Sequence, residues 1–245
     1  MKKYFRFTAI AVMAIMSFGV VSCGDDDDNE IDSSPISFYV GDEKVIEGAD
    51  TIASANKFVA FGKGNTVTGY HVGKTTLKVN GKTTIPVTVN AMYHLYDDPI
   101  SNWGCSVNYV RSNQKQGTIN SNSTNEMLMY DDAGGASVLA YNFENGKLKS
   151  VLAMVSTNHA STLVDYLLER FIMAPYYKGS ETYYVGLDGL DDENTNTAVL
   201  MQVYSASYIS VFYTSAKTTA SSRSDVSHQA LQDKMAEMAK QIGIE

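Results

Sequence analysis

The stretch ASVLAYNFENGKLKSVLAMVS, residues 136–156, decides the class of fold. Two apolar runs flank Asn145-Gly146. A two-residue Asn-Gly link accepts the positive φ angles of a type I′ turn, whose twist matches paired strands. The stretch therefore predicts a β-hairpin. The same chemistry recurs upstream. Residues 75–79 alternate apolar and polar, Asn80-Gly81 turns the chain, and residues 83–89 pair back. Earlier still, Ile36, Phe38 and Val40 alternate before Gly41-Asp42. Residues 57–61 form a short apolar run ended by Gly62-Lys63-Gly64-Asn65, and residues 66–70 follow as another strand.

Downstream the pattern mixes. Residues 103–113 predict a short helix, and residues 126–130 a strand. Residues 157–171 predict one longer helix, with Leu163, Leu167, Leu168 and Phe171 on one face and Thr157 or Asn158 as its cap. Residues 183–187, 198–204 and 208–213 read as strands. The expected class is α+β overall. A small β-sandwich-like N-terminal domain spans residues 35–91. Over residues 92–217 an antiparallel sheet carries helices packed on one face. Residues 218–245 form a Ser/Thr linker and a C-terminal amphipathic helix, 225–241. Its stripe of Leu231, Met235, Met238 and Ile242 repeats at helical spacing. Such a stripe usually docks on the protein's own core, and docking on a partner is the alternative.

The first 34 residues have a different grammar. Lys2, Lys3 and Arg6 make a positive start, an apolar run follows from Phe7 to Val21, and small Ser22 precedes Cys23. That run of about 15 residues is short of the ~20 a stable spanning helix needs. Residues 1–22 therefore read as a signal peptide. Val20-Val21-Ser22-Cys23 resembles the lipobox of bacterial lipoproteins, in which the cysteine is acylated and becomes the new N-terminus. The resemblance implies a membrane partner held through lipid on Cys23. The acidic tract Asp25, Asp26, Asp27 and Asp28 resembles the export signal of Bacteroidota-type surface lipoproteins. It implies an outer-membrane, surface-exposed address, with residues 23–34 as a solvated tether.

The chain is 245 residues long, 44% hydrophobic and 19% charged, which is globular composition. Its formal net charge is −8, with six of its acids in residues 25–32. A mildly acidic body without a basic stripe argues against nucleic acid as a partner. If Cys23 carries lipid, Cys105 is the one remaining cysteine, and no disulfide forms within the mature chain. Its simplest reading is a small buried apolar residue.

Two further resemblances concern the body. Tyr39-Val40-Gly41-Asp42, Ser54-Ala55-Asn56-Lys57-Phe58-Val59-Ala60, Val67-Thr68-Gly69, Val72-Gly73-Lys74-Thr75-Thr76-Leu77-Lys78-Val79 and Ile85-Pro86-Val87-Thr88-Val89 occur in the order found in bacterial immunoglobulin-like domains of group two. That family implies a spacer or adhesion module. The match departs in two places: the segment between Gly41 and Ser54 is short for the usual second strand pair, and a Trp is missing before the Ser-Asn turn. A truncated sandwich is expected. The sequence from Tyr96-Asp97-Asp98-Pro99 and Trp103-Gly104 through Met129-Tyr130 and Tyr141-Asn142-Phe143 to Leu167-Leu168-Glu169-Arg170-Phe171 is similar to uncharacterised surface-lipoprotein domains that follow such modules.

Motifs of catalysis are scarce. His71, His94, His159 and His228 are scattered without metal spacing, so no metal or cofactor is expected. There is no Gly-x-Ser-x-Gly elbow, and Trp103-Gly104-Cys105 lacks the local signatures of thiol proteases. Asp97 and Asp98, read as strand neighbours, point to opposite faces and pair poorly as acid and base. The acidic loop at residues 188–194 lacks the EF-hand ligand order and reads as a solvated turn. Sixteen tyrosines stand out. Tyr176, Tyr177, Tyr183, Tyr184, Tyr204 and Tyr208 are the candidate ligand-binding residues, because aromatic rings with polar tips stack on sugars or peptides. The expectation is a non-enzymatic surface lipoprotein of binding or adhesion type, its ligand a glycan or a protein. An envelope hydrolase and a structural subunit of a surface assembly are the alternatives.

Overall fold

The computed structural model describes residues 31–178, 181–191 and 193–219. The leader, Cys23, the acidic tract 25–28 and the C-terminal helix expected at 225–241 lie outside the described residues.

The first seven strands are β1 (Ile36–Tyr39), β2 (Glu43–Val45), β3 (Ile52–Ser54), β4 (Ala60–Lys63), β5 (Thr66–Gly69), β6 (Gly73–Val79) and β7 (Thr83–Asn90). They form two sheets, of order β1-β7-β6-β3 and β2-β5-β4. Alternation does the work. On β7, Ile85, Val87 and Val89 are buried while Pro86 between them is exposed. The two sheets share one apolar cluster, with Phe38, Ile46, Phe58, Val67 and Leu77 among its members. At the β6–β7 turn Asn80 and Gly81 have φ of 50° and 69°, as the type I′ geometry requires. The segment between Gly41 and Ser54 holds two three-residue strands, β2 and β3, placed in different sheets. Pro86 costs no ladder bond to β1. The parallel pairing of β1 begins one position later, at Ile36 opposite Val87.

The rest of the described chain builds α1 (Val107–Asn113), β8 (Thr118–Ile119), β9 (Met127–Ala133), β10 (Ala136–Glu144), β11 (Lys147–Ser156), a 3₁₀ turn (Thr157–His159) and α2 (Ala160–Leu168). It continues with β12 (Ile172–Lys178), β13 (Glu181–Leu187), β14 (Thr197–Val203), β15 (Tyr208–Ser215) and α3 (Ala216–Thr219). Strands β8 to β15 make one sheet of order β12-β13-β14-β15-β11-β10-β9-β8, with every pair antiparallel. The quoted hairpin is its centre. Asn145 and Gly146 have φ of 54° and 70°. Strand β11 pairs with β10 on one side and β15 on the other. α2 carries the chain from there to the far edge.

The expected α+β class is corrected. Fifteen strands and three helices of seven, nine and four residues are found among the described residues. The protein is predominantly β. The predicted helix at 157–171 explains much of the difference. Ser156, not Thr157 or Asn158, supplies the capping oxygen, to the N–H of Asn158. The helix stops at Leu168, and residues 172–178 extend as a strand. Ile172-Met173-Ala174-Pro175-Tyr176-Tyr177 cannot stay helical, because Pro175 clashes with the preceding turn and removes a donor. Leu163, Tyr166 and Leu167 face the sheet, while Leu168 is exposed. The helix expected at 103–113 begins only at Val107, after Ser106 caps the N–H of Tyr109.

The large sheet is apolar on both sides. One face packs Leu128, Leu139, Tyr141, Val151, Val211 and Tyr213 against α1, α2 and the segment near Tyr96. The opposite face carries its own cluster, including Met129, Leu152, Met154, Leu200 and Phe212. A strand buried on both faces shows no alternation, which is why residues 151–155 read as a continuous apolar run.

A polar joint ties the first two sheets to the large one. The backbone carbonyl of Glu169 accepts from Val72 N at 2.8 Å. The Glu169 carboxylate accepts from Met92 N at 3.0 Å and Tyr93 N at 3.0 Å. Arg170 Nε meets Asp98 Oδ1 at 2.5 Å, and its guanidinium lies 3.8 Å from the centre of the Tyr166 ring. The Tyr166 hydroxyl also donates to Asp98, at 2.8 Å. Tyr96 and Tyr213 share a hydrogen bond of 2.6 Å between their hydroxyls.

Candidate functional site

A cleft of about 1170 Å³ opens at one end of the large sheet. Four pieces of chain build it. The start of α1 brings Ser106, Val107 and Asn108. The loop before β9 brings Asn122, Thr124 and Asn125. Met127 and Met129 of β9 form part of the lining, and Asn142 to Gly146 close it from the β10–β11 turn. Local hydrogen bonds hold these pieces. Thr124 Oγ1 accepts from Glu126 N and Met127 N, both at 3.1 Å. Ser123 Oγ accepts from Met129 N at 2.9 Å. Ser106 bridges to Lys147, and Leu148 N donates to Cys105 O at 2.9 Å.

Asparagine is the commonest residue of the lining, which also includes the acidic Glu126 and Glu144. Asn108, Asn122, Asn125, Asn142 and Asn145 all face the cleft. The side chains of Asn108, Asn122 and Asn145 make no hydrogen bond among the described residues, whereas Asn125 accepts from Arg111 at 3.5 Å. An amide offers donors and acceptors together. Such a wall suits a ligand whose groups also do both, such as sugar hydroxyls. Sequence reasoning missed these residues. The signal available was the density of asparagine between Asn102 and Asn125.

The tyrosine candidates do not form one face. Strand alternation divides them. Tyr183 is buried, and Tyr176, Tyr204 and Tyr208 are partly buried, all in the cluster on the second face. Tyr177 is 70% exposed and Tyr184 is 40% exposed. They alternate with Tyr176 and Tyr183 along β12 and β13, so they point to the other side. A single tyrosine platform is thereby replaced by a packed set and an exposed pair.

The other sequence candidates have structural occupations. Asp97 and Asp98 are not on a strand. Asp97 accepts from Gln116, and Asp98 serves Arg170 and Tyr166. In the acidic loop, Asp188 Oδ1 accepts from Asn196 N and Thr197 N, and Asp191 Oδ1 from Asn194 N. His71 stacks on Phe58 with ring centroids 3.9 Å apart and meets Phe58 O at 2.7 Å. Burial lowers its pKa, against the carbonyl bond that raises it.

Cys105 is partly buried and packs against the core. Burial raises its pKa, so it rests as the thiol. Alkylation of Cys105 by iodoacetamide at neutral pH is expected to be several-fold slower than that of a free cysteine. Mass-spectrometric time courses check it, and equal rates would overturn it.

Four tyrosines in the core and the joint, Tyr96, Tyr141, Tyr166 and Tyr213, have pKa values pushed up, in each case chiefly by burial. A raised folded pKa favours the protonated form in the native state. Their contribution is complete below the unfolded tyrosine pKa of about 10 and is lost as pH climbs above it. Absorbance at 295 nm is expected to show these phenolates appearing together with loss of structure by circular dichroism. Their ionisation before unfolding would contradict this.

In comparisons with family models, curated proteins and solved structures, the chain matches none.

Proposed function

We propose that this protein is a lipid-anchored, cell-surface binding protein of the outer membrane that holds a glycan in the amide-lined cleft. The single observation that carries the ligand reading is the cleft itself, a concave surface on which the side chains of Asn108, Asn122 and Asn145 make no hydrogen bond among the described residues. Neutral hydrogen-bonding groups beside the apolar Met127 and Met129 complement a sugar, which presents hydroxyls along its edge and C–H groups on its face.

The anchor reading rests on Cys23 and its lipobox-like setting, and the surface address on Asp25 to Asp28. On this reading the two small sheets over β1 to β7 act as an immunoglobulin-like spacer. Glu169 ties them to the large sheet, through its carboxylate to Met92 N and its backbone carbonyl to Val72 N.

The test has two arms. The leaderless chain is applied to glycan arrays, and hits are measured by calorimetry. Asn142→Ala or Asn108→Ala is expected to weaken binding about tenfold, from the loss of one or two hydrogen bonds. No glycan bound, or binding indifferent to these changes, rejects the ligand reading. Separately, Cys23→Ser is expected to abolish fatty-acid labelling and membrane retention. Retention without Cys23 rejects the anchor.

A further inference from the structure

We propose that a cavity at the joint between the small sheets and the large one binds a small primary amine as its ammonium ion. The cavity has a volume of about 220 Å³ and shares no residue with the asparagine-lined cleft. Phe58, Val59 and Val72 reach it from the small-sheet side. Ser101 comes from the segment linking the two parts. Asp188, just past β13, and Thr197, at the start of β14, come from the large sheet. Val72 N donates to Glu169 O at 2.8 Å, which holds the small-sheet wall in place. Small ligands preferentially occupy junctions of this kind.

Two observations point to a ligand. Thr197 is 3% exposed, yet its side chain makes no hydrogen bond among the described residues. A buried hydroxyl ordinarily has a partner. The Thr197 oxygen is not sealed off as Trp103 Nε1 is, so it opens on the cavity that it lines. The second observation is a charge. Asp188 Oδ1 accepts from Asn196 N at 2.7 Å and Thr197 N at 2.8 Å, and these bonds fix the carboxylate beside Thr197. Oδ2 makes no hydrogen bond, and no ion pair reaches Asp188, among the described residues. Asn196 Nδ2 donates to Ser101 O at 3.4 Å, which draws Ser101 to the same corner.

The balance of charge selects the ligand. Asp98 Oδ1 takes Arg170 Nε and the Tyr166 hydroxyl, and Glu169 lies 3.7 Å from the same guanidinium. Arg170 is thus matched by two carboxylates and has no charge to spare for an anion. Asp188 is matched by none. An ammonium group carries three donors and no acceptor. Asp188 Oδ2, Thr197 Oγ1 and Ser101 Oγ supply acceptors, and the charge strengthens the bonds. A neutral polyol would use the hydroxyls and leave Asp188 without a counter-charge. A calcium ion takes about six to eight oxygens. Among the described residues no group of three or more acidic, histidine or cysteine side chains could hold a metal. Phe58, Val59 and Phe171 give the body of the amine an apolar wall.

The test titrates methyl-, butyl- and benzylammonium chloride into the ¹⁵N-labelled leaderless chain. At least one amine is expected to bind saturably, one per chain, with a dissociation constant at or below about 1 mM, within reach of a ligand of about eight non-hydrogen atoms. The amide shifts are expected to centre on Val72, Ser101 and Thr197, not on Asn108 and Asn142 of the cleft. Benzyl alcohol and benzoate, the neutral and anionic counterparts, are expected to bind at least about tenfold more weakly. Thr197→Val is expected to weaken the amine about fivefold and to leave the urea midpoint unchanged, because the hydroxyl serves no bond in the fold. Asp188→Asn keeps an acceptor for the two backbone N–H groups and is expected to weaken the amine about tenfold or more. If Asp188→Asn fails to fold, the comparison of amine with alcohol still decides. No binding by any of the three amines, equal binding of the alcohol, or shifts centred on the cleft overturns the proposal. So does calcium chloride producing the same shifts at lower concentration, which would make the corner a metal site. No glycan and no lipid enters the experiment, so its result is independent of the cleft's ligand.

Discussion

Phe212→Ala is expected to destabilise the protein by about 3–5 kcal/mol, the range for removing a buried aromatic ring. Phe212 is 1% exposed and lies directly opposite Leu152 on β11 and Leu200 on β14. Three neighbouring strands thus place three large side chains in one row on the second face. Leu152 and Leu200 are held by ladders on both sides, so the backbone cannot collapse into the void. Urea unfolding should show the midpoint falling with an unchanged slope. The matched control is Val203→Ala on β14, at a site 71% exposed, expected to fall within about 0.5 kcal/mol. A loss below about 1 kcal/mol at Phe212 would mean that this face is not a packed layer.

Glu169→Ala should rank next, at about 2–4 kcal/mol, the range for removing a charged acceptor from a buried network. The side chain is only 5% exposed and lies just past α2. Its two oxygens meet the backbone N–H groups of Met92 and Tyr93, where the chain passes between the small sheets and the large one. It also lies 3.7 Å from the Arg170 guanidinium. Removing it strands two backbone donors and leaves Arg170 to Asp98 and Tyr166. Glu169→Gln keeps one acceptor oxygen and should cost less than the alanine change. Limited proteolysis gives an independent reading, with new cleavage expected near residues 91–94 in the alanine variant. Equal stability of the two variants would show that the carboxylate is not what joins the sheets.

How far the fold was legible depends on the range of the interactions. The Asn80-Gly81 and Asn145-Gly146 hairpins were readable because turn chemistry is local, and both turns take the expected positive φ. The alternation of Ile85, Val87 and Val89 was readable because only one side of β7 is buried. The helix at 157–171 was over-read, since the apolar spacing continues through Leu168 while Pro175 ahead already requires extended chain. The cleft was not legible. Asn108, Asn125 and Asn142 come together only because Ser106 bridges Lys147 and Asn142 pairs with Met127 across the sheet. Nothing in residue type or spacing encodes that meeting.

The tyrosines show the same boundary. Their abundance is a property of sequence, but Tyr176 and Tyr183 turn inward while Tyr177 and Tyr184 turn outward, because neighbours on a strand alternate. By itself the sequence determined the two hairpin turns, the β character of the first 60 residues of the body, and the lipobox-like grammar around Cys23. These depend on residues adjacent in the chain, where backbone preference and charge act directly. Only the tertiary structure decided that the body is predominantly β, that one sheet of eight strands is apolar on both faces, and that asparagines gather at its end. Those depend on which strand pairs with which, and that choice is set by burial summed over the whole chain.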